Sequence, residues 1–293
     1  IVGGVKLVFA GAVAGIISRT CCAPLEMVST VMMCRGDECS TMWHELAEAW
    51  KKQGFKGLFR GNGANCLKVA PSRGTQFLVY EFMKRQLVHL GVATPLSAGP
   101  RLFAGGIAGM IAATIVYPLE VVKTVLTLYP DECQGGIPDA VRCVLRHGNG
   151  IRGLYRGLLP TLVAMFPYVG VEFMVYETLK GHWEVFIGGK SGTLALLLLG
   201  AIGGAAAQAA AHPLDVVRRR MQMQGMKKVQ KDGADKSPKI NNMFAGLCKI
   251  WQDEGPHVLL KGLGPACMEK VPSTAIGYYI YEAMKVALKV STV

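Results

Sequence analysis

Residues 118–123 read PLEVVK, and this six-residue pattern decides the fold because the chain carries it three times. A second copy, PLDVVR, stands at 213–218, and a third, PLEMVS, stands at 24–29. The prolines are 94 and 95 residues apart, and an acid follows each proline by two positions. A base follows that acid by three positions in two copies, whereas the copy at 24–29 ends in serine. A motif that returns at a fixed long interval indicates a chain built from internal repeats.

Two further markers recur in the same order after each copy of the pattern. The first is a bulky apolar residue, a base and a glycine, at 59–61, 155–157 and 260–262. The second is Tyr-Glu-x-x-Lys, at 80–84, 176–180 and 281–285. Three markers in register divide the chain into three repeats, which we place at 1–95, 96–190 and 191–293. The third repeat is longer, and we expect its extra residues in a polar surface loop at 227–239.

The composition places these repeats in a membrane. The 293 residues are 51% hydrophobic and only 18% charged, with a mean hydropathy of +0.31. Together with 36 glycines and 14 prolines, this is typical of helices packed closely in lipid. Each repeat has an apolar segment through its proline, a polar linker with a short amphipathic stretch, and a second apolar segment. We therefore predict an all-α membrane protein with six transmembrane helices in three pseudo-threefold repeats and short helices in the linkers.

The charge of the chain indicates its orientation and an anionic partner. Lys and Arg number 32 against 20 Asp and Glu, a net charge of +12, which fits anionic lipid, an anionic solute or nucleic acid. Most of the basic residues lie in the linkers between the proline and the glycine marker. The positive-inside rule then places the linkers on the inner side of the membrane, the matrix or its equivalent, and both termini on the opposite side. Because topology accounts for much of the charge, we expect no nucleic-acid partner.

Enzymatic and metal chemistry are not indicated by the motifs. The chain has no Gly-rich phosphate loop and no Gly-x-Ser-x-Gly, and its six histidines show no metal-ligand spacing. Its nine cysteines form an odd set without a C-x-x-C pair, so we expect free thiols. Residues 1–10 lack the features of a secretory signal, which predicts a mature or trimmed chain. We expect neither an enzyme nor a metal site.

The acid and base of the repeated pattern predict ion pairs between helices. A proline inside a membrane helix bends it, and below the bend the acid and base face the neighbouring helices. Charges at that depth need partners. We predict pairs of Glu26 with Lys123 and of Glu120 with Arg218. The third pair fails, because Asp215 would need a base where the sequence has Ser29.

The Tyr-Glu-x-x-Lys marker predicts a second set of charges at the other end of the helices. Its acid and base are three residues apart, so a local surface ion pair within one helix is the simpler interpretation. Recurrence in all three repeats favours instead a ring of pairs between helices. Two such rings would make an alternating gate, with pairs that form when a mouth closes and separate when it opens. The predicted ring joins Glu81 with Lys180, Glu177 with Lys285, and Glu282 with Lys84.

These motifs resemble the mitochondrial carrier family over nearly the whole chain. The family's Pro-x-[Asp/Glu]-x-x-[Lys/Arg] signature corresponds to 118–123 and 213–218, and without its base to 24–29. The resemblance implies a six-helix barrel, a matrix and a cytoplasmic ion-pair network, and exchange of solutes. It also implies a glutamine brace at Gln222, beneath a matrix pair, whereas Met33 and Thr127 occupy that place in the other repeats.

The same resemblance implies where a substrate binds. Lys68, the pair Ala164-Met165, and Lys270 match the family's three substrate contact points, although nucleotide carriers usually have glycine where this chain has Ala164. By analogy Arg19 adds a third cation, unless it pairs with a carbonyl or a neighbouring acid. Two lysines and a small apolar pair suit a ligand with phosphates and a flat ring. Tyr168 either stacks on that ring or packs against a helix. Glu269 either neutralises Lys270 or coordinates a cation.

Local strings narrow the branch of the family. The strings at 60–62, 68–72, 262–265 and 270–272 look like those of ATP-Mg/phosphate, plastid Brittle-1-type adenylate and coenzyme A carriers. The ADP/ATP-exchanger hallmark is broken at Gln222, and there are no EF-hand loops. We therefore predict an antiporter of adenine nucleotides of the ATP, ADP and AMP class, with or without phosphate. The alternatives are a carrier of coenzyme A or nucleotide sugars, and a structural subunit without exchange activity.

The resemblance also implies partners and a location. We expect a phosphorylated small molecule as substrate and no cofactor. Cardiolipin is the expected bound lipid, and the protein is expected to be monomeric. The expected location is the mitochondrial inner membrane, with the plastid envelope or thylakoid membrane as the alternative.

Overall fold

The computed structural model describes residues 2–34, 41–90, 98–147, 150–187, 192–224 and 242–288, and these contain helices and no strand. The long helices are α1 (Val2–Cys34), α3 (Asn62–His89), α4 (Ala98–Leu128), α6 (Leu158–Ile187), α7 (Thr193–Met223) and α9 (Leu263–Ala287). Short linker helices are α2 (Met42–Leu58), α5 (Ile137–His147) and α8 (Met243–Asp253), and 3₁₀ turns cover Gly150–Tyr155 and Pro256–Leu260. The predicted order of a long helix, a short linker helix and a second long helix is confirmed in all three repeats.

The six long helices form a closed ring. Within each repeat the two long helices are in contact, and between repeats α3 packs on α4, α6 on α7, and α9 on α1. Lys6 in α1 donates a hydrogen bond from Nζ to the carbonyl of Leu288, at 3.2 Å, so the two ends of the chain meet. We call this side of the ring the terminal end, and the side that carries α2, α5 and α8 the linker end.

Four of the six long helices are apolar enough to be candidate membrane spans by composition, at Phe9–Cys34, Gly99–Leu128, Gly150–Phe186 and Ala195–Met223. The other two, α3 and α9, are long enough at about 1.5 Å per residue but are not among the candidate spans by composition. Ionisable residues inside a membrane helix mark functional surfaces. Arg73 on α3 and Glu269 and Lys270 on α9 do face the interior of the ring, where they line a cavity.

The buried core lies at the linker end. One cluster surrounds Tyr117 and Val121 together with Val144 of α5. A second joins Val216 of α7 to residues of α8 and α9, and a third joins Met27 of α1 to α2. Each cluster packs a linker helix against a helix that carries the Pro-x-acid pattern. This end of the ring is therefore closed by apolar packing as well as by charge.

The three marker glycines let each repeat approach the next. Gly61, Gly157 and Gly262 have φ between +73° and +85°, which L side chains rarely adopt, and each begins a second helix. A Cβ on any of them would lie 2.8–3.0 Å from a backbone carbonyl of the following repeat. These contacts are Gly61 with Lys123, Gly157 with Arg218, and Gly262 with Ser29. All three carbonyls belong to the base position of the Pro-x-acid pattern, so the turns fix the helices that carry the charges.

Replacing Gly157 by alanine is expected to destabilise the protein by about 2–4 kcal/mol. The new methyl group would meet the Tyr117 hydroxyl at 2.9 Å and the Arg218 carbonyl at 3.0 Å, and φ is +85°. The matched control is Gly63→Ala, since Gly63 lies inside α3 with nothing within 4 Å of an added Cβ. Thermal unfolding in detergent, followed by tryptophan fluorescence, measures both. Equal melting temperatures for the two variants would contradict the close approach.

A buried ion pair stabilises the linker end of the third repeat. The Arg220 guanidinium binds both carboxylate oxygens of Glu254, with Nη2 to Oε2 at 2.8 Å, and its Nε donates to the carbonyl of Met33 at 3.4 Å. Arg220 is 3% exposed. Val31 and Val125 occupy the corresponding positions of the other repeats, so no base stands there to form an equivalent ion pair.

Candidate functional site

Two ion pairs join neighbouring first helices at the linker end. The amine of Lys123 on α4 binds Glu26 of α1, and Nη2 of Arg218 on α7 lies 3.0 Å from Oε2 of Glu120 on α4. All four side chains are at most 16% exposed. The structure thus brings together both pairs expected from the sequence, and their role as a gate stays a prediction.

Lys68 lies in this network and not in open space. Its amine, on α3, binds Glu120, and its side chain is only 10% exposed. Glu120 therefore faces two cations, Lys68 and Arg218, while Nη1 of Arg219 is 4.0 Å away. Sequence reasoning placed Lys68 at the substrate. The structure pairs it with Glu120 because α3 packs directly on α4.

We call each contact between neighbouring first helices a seam. At the third seam, between α1 and α7, the described residues form no ion pair between the two helices. Ser29 instead donates a hydrogen bond to the carbonyl of Gly262, at 3.0 Å. Asp215 accepts a hydrogen bond from Nε2 of Gln208 at 2.8 Å, and its other oxygen is 3.9 Å from Arg218 on its own helix. Gln208, on the same helix, therefore supplies the hydrogen bond that Asp215 would otherwise accept from a base at position 29. The sequence analysis did not identify Gln208.

Gln222, which the family resemblance implies as a brace beneath a matrix pair, bonds to two side chains of α4. Its Nε2 donates to the hydroxyl of Tyr117 at 3.0 Å, and its Oε1 accepts from Thr124 at 2.8 Å. Gln222 therefore ties α7 to α4 below the charges without bonding the Glu120–Arg218 pair itself. At the equivalent positions, Thr127 donates to backbone carbonyls, and the Met33 side chain packs in the apolar core.

Replacing Ser29 by lysine is expected to slow solute exchange about tenfold, equivalent to about 1.4 kcal/mol. The new amine would lie at the position of Lys123 and Arg218 and would pair with Asp215. Opening the linker end would then require the separation of one more pair. The measurement is the initial exchange rate in proteoliposomes.

Ser29→Met is the control for this variant, because it fills a similar volume and also loses the hydrogen bond to Gly262 but brings no charge. If the methionine variant is slowed as much as the lysine variant, packing and not the new ion pair is responsible.

A cavity of about 1060 Å³ lies among α1, α3, α4, α6 and α9, on the terminal side of the ion pairs. Four basic side chains line it: Arg19, Arg73, Arg101 and Lys270. Glu269 is the one acid in that lining, among the residues that the structure describes. Such a cavity favours an anionic ligand.

Arg19 connects the cavity to the ion pairs. Its Nη1 donates to Oδ1 of Asn65 at 3.3 Å, and Nδ2 of Asn65 donates to Glu26 at 2.7 Å. Asn65 is fully buried on α3. Arg19 therefore pairs with an amide, and not with a backbone carbonyl or an acid as the sequence analysis considered. Asn65 was missed, although a buried amide one helical turn before Lys68 is a polar signal in a membrane helix.

The other predicted substrate contacts divide between the cavity and the helix interface. Lys270 lines the cavity, and its amine lies 5.4 Å from the ring centroid of Tyr168, which favours packing over a free stacking face. Ala164, Met165 and Tyr168 are not among the residues that line the cavity. Ala164 is 7% exposed, and Cε of Met165 lies 3.4 Å from the Cβ position of Gly109 on α4. Met165 therefore contacts α4 in this conformation, and the role of the Ala164-Met165 pair in holding a base stays a prediction.

Arg73 and Arg101 are cavity cations that the sequence analysis did not name. Arg73 lies on α3 five residues after Lys68, and Arg101 lies in the first turn of α4. A charge within a predicted membrane helix was the available signal for Arg73. Arg101 had no such signal, because it stands near a helix end, where basic residues are common.

At the terminal end the predicted ring between helices is not formed. Lys285 lies 2.9 Å from Glu282 and Lys84 lies 3.9 Å from Glu81, each within one helix. Of the residues that the structure describes, none joins Glu81 to Lys180, Glu177 to Lys285, or Glu282 to Lys84. The local alternative therefore holds in this conformation, because the helices are separated here by the open cavity. One end of the ring is paired and the other is not.

The eight described cysteines are free thiols, as the sequence predicts. Cys133 lies in the loop after α4, and burial raises its pKa to about 12. Burial also raises the pKa of Cys143 on α5. Both thiols therefore stay protonated at neutral pH and are poor nucleophiles.

Comparison with known proteins agrees with this geometry. The family model described as mitochondrial carrier protein matches residues 3–90, 94–185 and 189–291. The chain is 34% identical over 289 residues to the rabbit (Oryctolagus cuniculus) mitochondrial adenyl nucleotide antiporter SLC25A24, covering 98% of this chain and 58% of that protein. It is 35% identical over 288 residues to the mouse (Mus musculus) antiporter SLC25A25, with 97% and 59% covered.

A plant relative is covered more fully. The mitochondrial adenine nucleotide transporter ADNT1 of Arabidopsis thaliana is 36% identical over 311 aligned positions, covering 97% of this chain and 87% of that protein. The chain thus spans less than two thirds of the length of the two animal relatives. The family match extends over all three repeats, and the six helices form a closed ring with ion pairs at one end. Both observations support the same family. The chain belongs to the mitochondrial carrier family.

Proposed function

We propose that this protein exchanges adenine nucleotides across the mitochondrial inner membrane by alternating access, as a transporter and not an enzyme. The observation that carries the proposal is a basic cavity open toward the terminal end and closed by ion pairs at the linker end. Its volume, about 1060 Å³, is in the range that holds a ligand of nucleotide size. The names of the relatives, adenyl nucleotide antiporters and an adenine nucleotide transporter, support adenine nucleotides as the class of solute.

In the proposed cycle the nucleotide enters from the terminal end, which faces the cytoplasm, and its phosphates bind Arg19, Arg73 and Lys270. Ammonium and guanidinium groups bind phosphate strongly through charge-assisted hydrogen bonds. Since Arg19 holds Asn65, and Asn65 holds Glu26, phosphate binding at Arg19 weakens the support of the Glu26–Lys123 pair. The substrate thereby lowers the free energy needed to open the linker end.

The terminal end would close as the linker end opens. Glu81, Glu177 and Glu282 would exchange their present positions for pairs with Lys180, Lys285 and Lys84 on neighbouring helices. The local pair of Lys285 with Glu282 in this conformation keeps both charges ready for that change. Without substrate, the carrier would have to break the ion pairs of one end before it forms those of the other. This conformational change is therefore favoured only with a bound solute, which makes exchange favoured over one-way transport.

The proposed surroundings are the mitochondrial inner membrane, with cardiolipin bound at the matrix side of a monomer. The three base-glycine turns, at 59–61, 155–157 and 260–262, place a basic residue beside a helix N-terminus, and this arrangement suits an anionic headgroup. The relatives are named as mitochondrial proteins, which supports this location and gives no support to a plastid membrane.

The test is a counter-exchange panel in proteoliposomes made from the purified chain. Vesicles loaded with ATP are offered labelled AMP, ADP, ATP, phosphate, coenzyme A and ADP-glucose. We expect uptake of the adenine nucleotides that depends on internal nucleotide. Uptake of coenzyme A or ADP-glucose alone would assign the protein to another substrate, and no exchange of any solute would favour the structural subunit.

A further inference from the structure

Glu269 is an acid that the mechanism above does not use, and it stands in the cavity. It lies on α9 immediately before Lys270 and lines the cavity with Arg19, Arg73 and Lys270. Its backbone carbonyl faces the thiol of Cys22 at 3.9 Å. Among the described residues, no hydrogen bond or ion pair reaches its carboxylate.

Two other mostly buried acids near this level, Glu26 and Glu120, are neutralised by cations. Glu26 is bound by Lys123 and Asn65, and Glu120 is bound by Lys68 and Arg218. A half-buried carboxylate without such partners in a membrane helix is energetically unfavourable, which marks it as functional. It also differs from its equivalents in the other repeats. The residue three positions before the second-helix proline is Lys68 in the first repeat and Ala164 in the second.

The position of Glu269 determines what it can do to a ligand. Phosphates that bind Arg19 and Lys270 come close to its carboxylate, because all three side chains line one cavity. Opposite charges there attract the phosphates, and Glu269 repels them. At pH 7.5 AMP carries about two, ADP about three and ATP about four negative charges, since the second phosphate pKa is near 6. The repulsion therefore grows with the number of phosphates.

We propose that Glu269 sets the charge of the nucleotide that the cavity accepts. It lowers the positive excess of Arg19, Arg73 and Lys270 by one, and it disfavours the most highly charged free nucleotide relative to AMP and ADP. This inference rests on the proposed nucleotide exchange and adds a specificity-determining residue to it. Glu269 acts on the ligand through its charge and needs no hydrogen bond to the ligand.

The test compares Glu269→Gln with the wild-type protein in proteoliposomes, with a chelator present so that no divalent cation masks the nucleotide charge. The measured quantity is the ratio of kcat/KM for ATP to that for AMP. We expect this ratio to rise about tenfold in the glutamine variant, because ATP carries two more negative charges than AMP and each of them loses its repulsion from Glu269. The change should appear mainly in KM.

Two further variants keep the test decisive. Glu269→Asp retains the charge and should keep the wild-type ratio, while Glu269→Ala removes it with a different shape and should shift the ratio in the same direction as glutamine. Raising the salt concentration should reduce the difference between the wild type and the glutamine variant.

Several results would overturn the inference. An equal loss of exchange for AMP and ATP in the glutamine and alanine variants would show that Glu269 supports the structure of the site only. A defect that appears only when Mg²⁺ is added would assign the carboxylate to a divalent cation. If the wild type exchanges nucleotides and both neutral variants keep its ratio, Glu269 has no role in specificity and the proposed function still stands. If the wild type exchanges no nucleotide, the proposed function fails as well.

Discussion

Replacing Lys270 by alanine is expected to reduce nucleotide exchange about a hundredfold or more, equivalent to about 2.7 kcal/mol. Lys270 lines the cavity from α9, and its amine lies 5.4 Å from the ring centroid of Tyr168. A charge-assisted contact with phosphate is lost in the variant. The measurement is kcat/KM for ADP counter-exchange in proteoliposomes.

Two control variants separate this role from a structural one. Lys270→Arg keeps the charge and should retain a substantial part of the activity. Lys52→Ala removes an exposed base from the linker helix α2, outside the cavity, and it should leave kcat/KM for ADP near that of the wild type. Melting temperatures of all three variants in detergent show whether they are folded. Unaltered ADP uptake by a folded Lys270→Ala protein would remove Lys270 from the binding site.

Replacing Glu120 by glutamine is expected to destabilise the protein by about 3–5 kcal/mol and to reduce exchange at least a hundredfold. Glu120 binds the amine of Lys68 and the guanidinium of Arg218, and all three side chains are at most 15% exposed. The amide cannot neutralise two buried cations, so their desolvation is no longer compensated. Thermal unfolding and exchange rate are both measured.

A double variant identifies the cause. Glu120→Gln combined with Lys68→Met removes one of the uncompensated cations, and we expect it to recover part of the lost melting temperature. Additive losses in the double variant would show that Lys68 and Glu120 do not interact energetically. A glutamine variant with wild-type melting temperature and rate would contradict the central place of Glu120 in the network.

The fold was accessible from the sequence because its signals are local and repeated. The three Pro-x-acid patterns predict three first helices, and the glycine markers predict the start of each second helix. The acid of one pattern and the base of the next predict a contact between repeats, and the structure places Glu26 beside Lys123 in this way. Such inferences need only the order of motifs and the assumption that the repeats surround one axis.

The details of the site depend on packing that no local pattern reveals. Lys68 occurs in a string typical of a substrate contact, yet its amine meets Glu120 because α3 lies against α4. Asn65 and Gln208 act as bridges only because Arg19, Glu26 and Asp215 happen to lie within hydrogen-bond distance. Which end of the ring is paired is a property of one conformation, and the sequence encodes both.

The seam between α1 and α7 has a consequence for how the barrel moves. Two of the three seams hold an ion pair between first helices, whereas at this one Ser29 donates to the Gly262 carbonyl and Arg220 of α7 donates to the Met33 carbonyl of α1. Asp215 accepts from Gln208 and lies 3.9 Å from Arg218, and both of these partners are on its own helix. Three equal ion pairs would separate together, and the three repeats would move apart symmetrically. Because the seam between α1 and α7 lacks such a pair, we expect the opening of the linker end to begin there. The seams of α1 with α4 and of α4 with α7 would separate later.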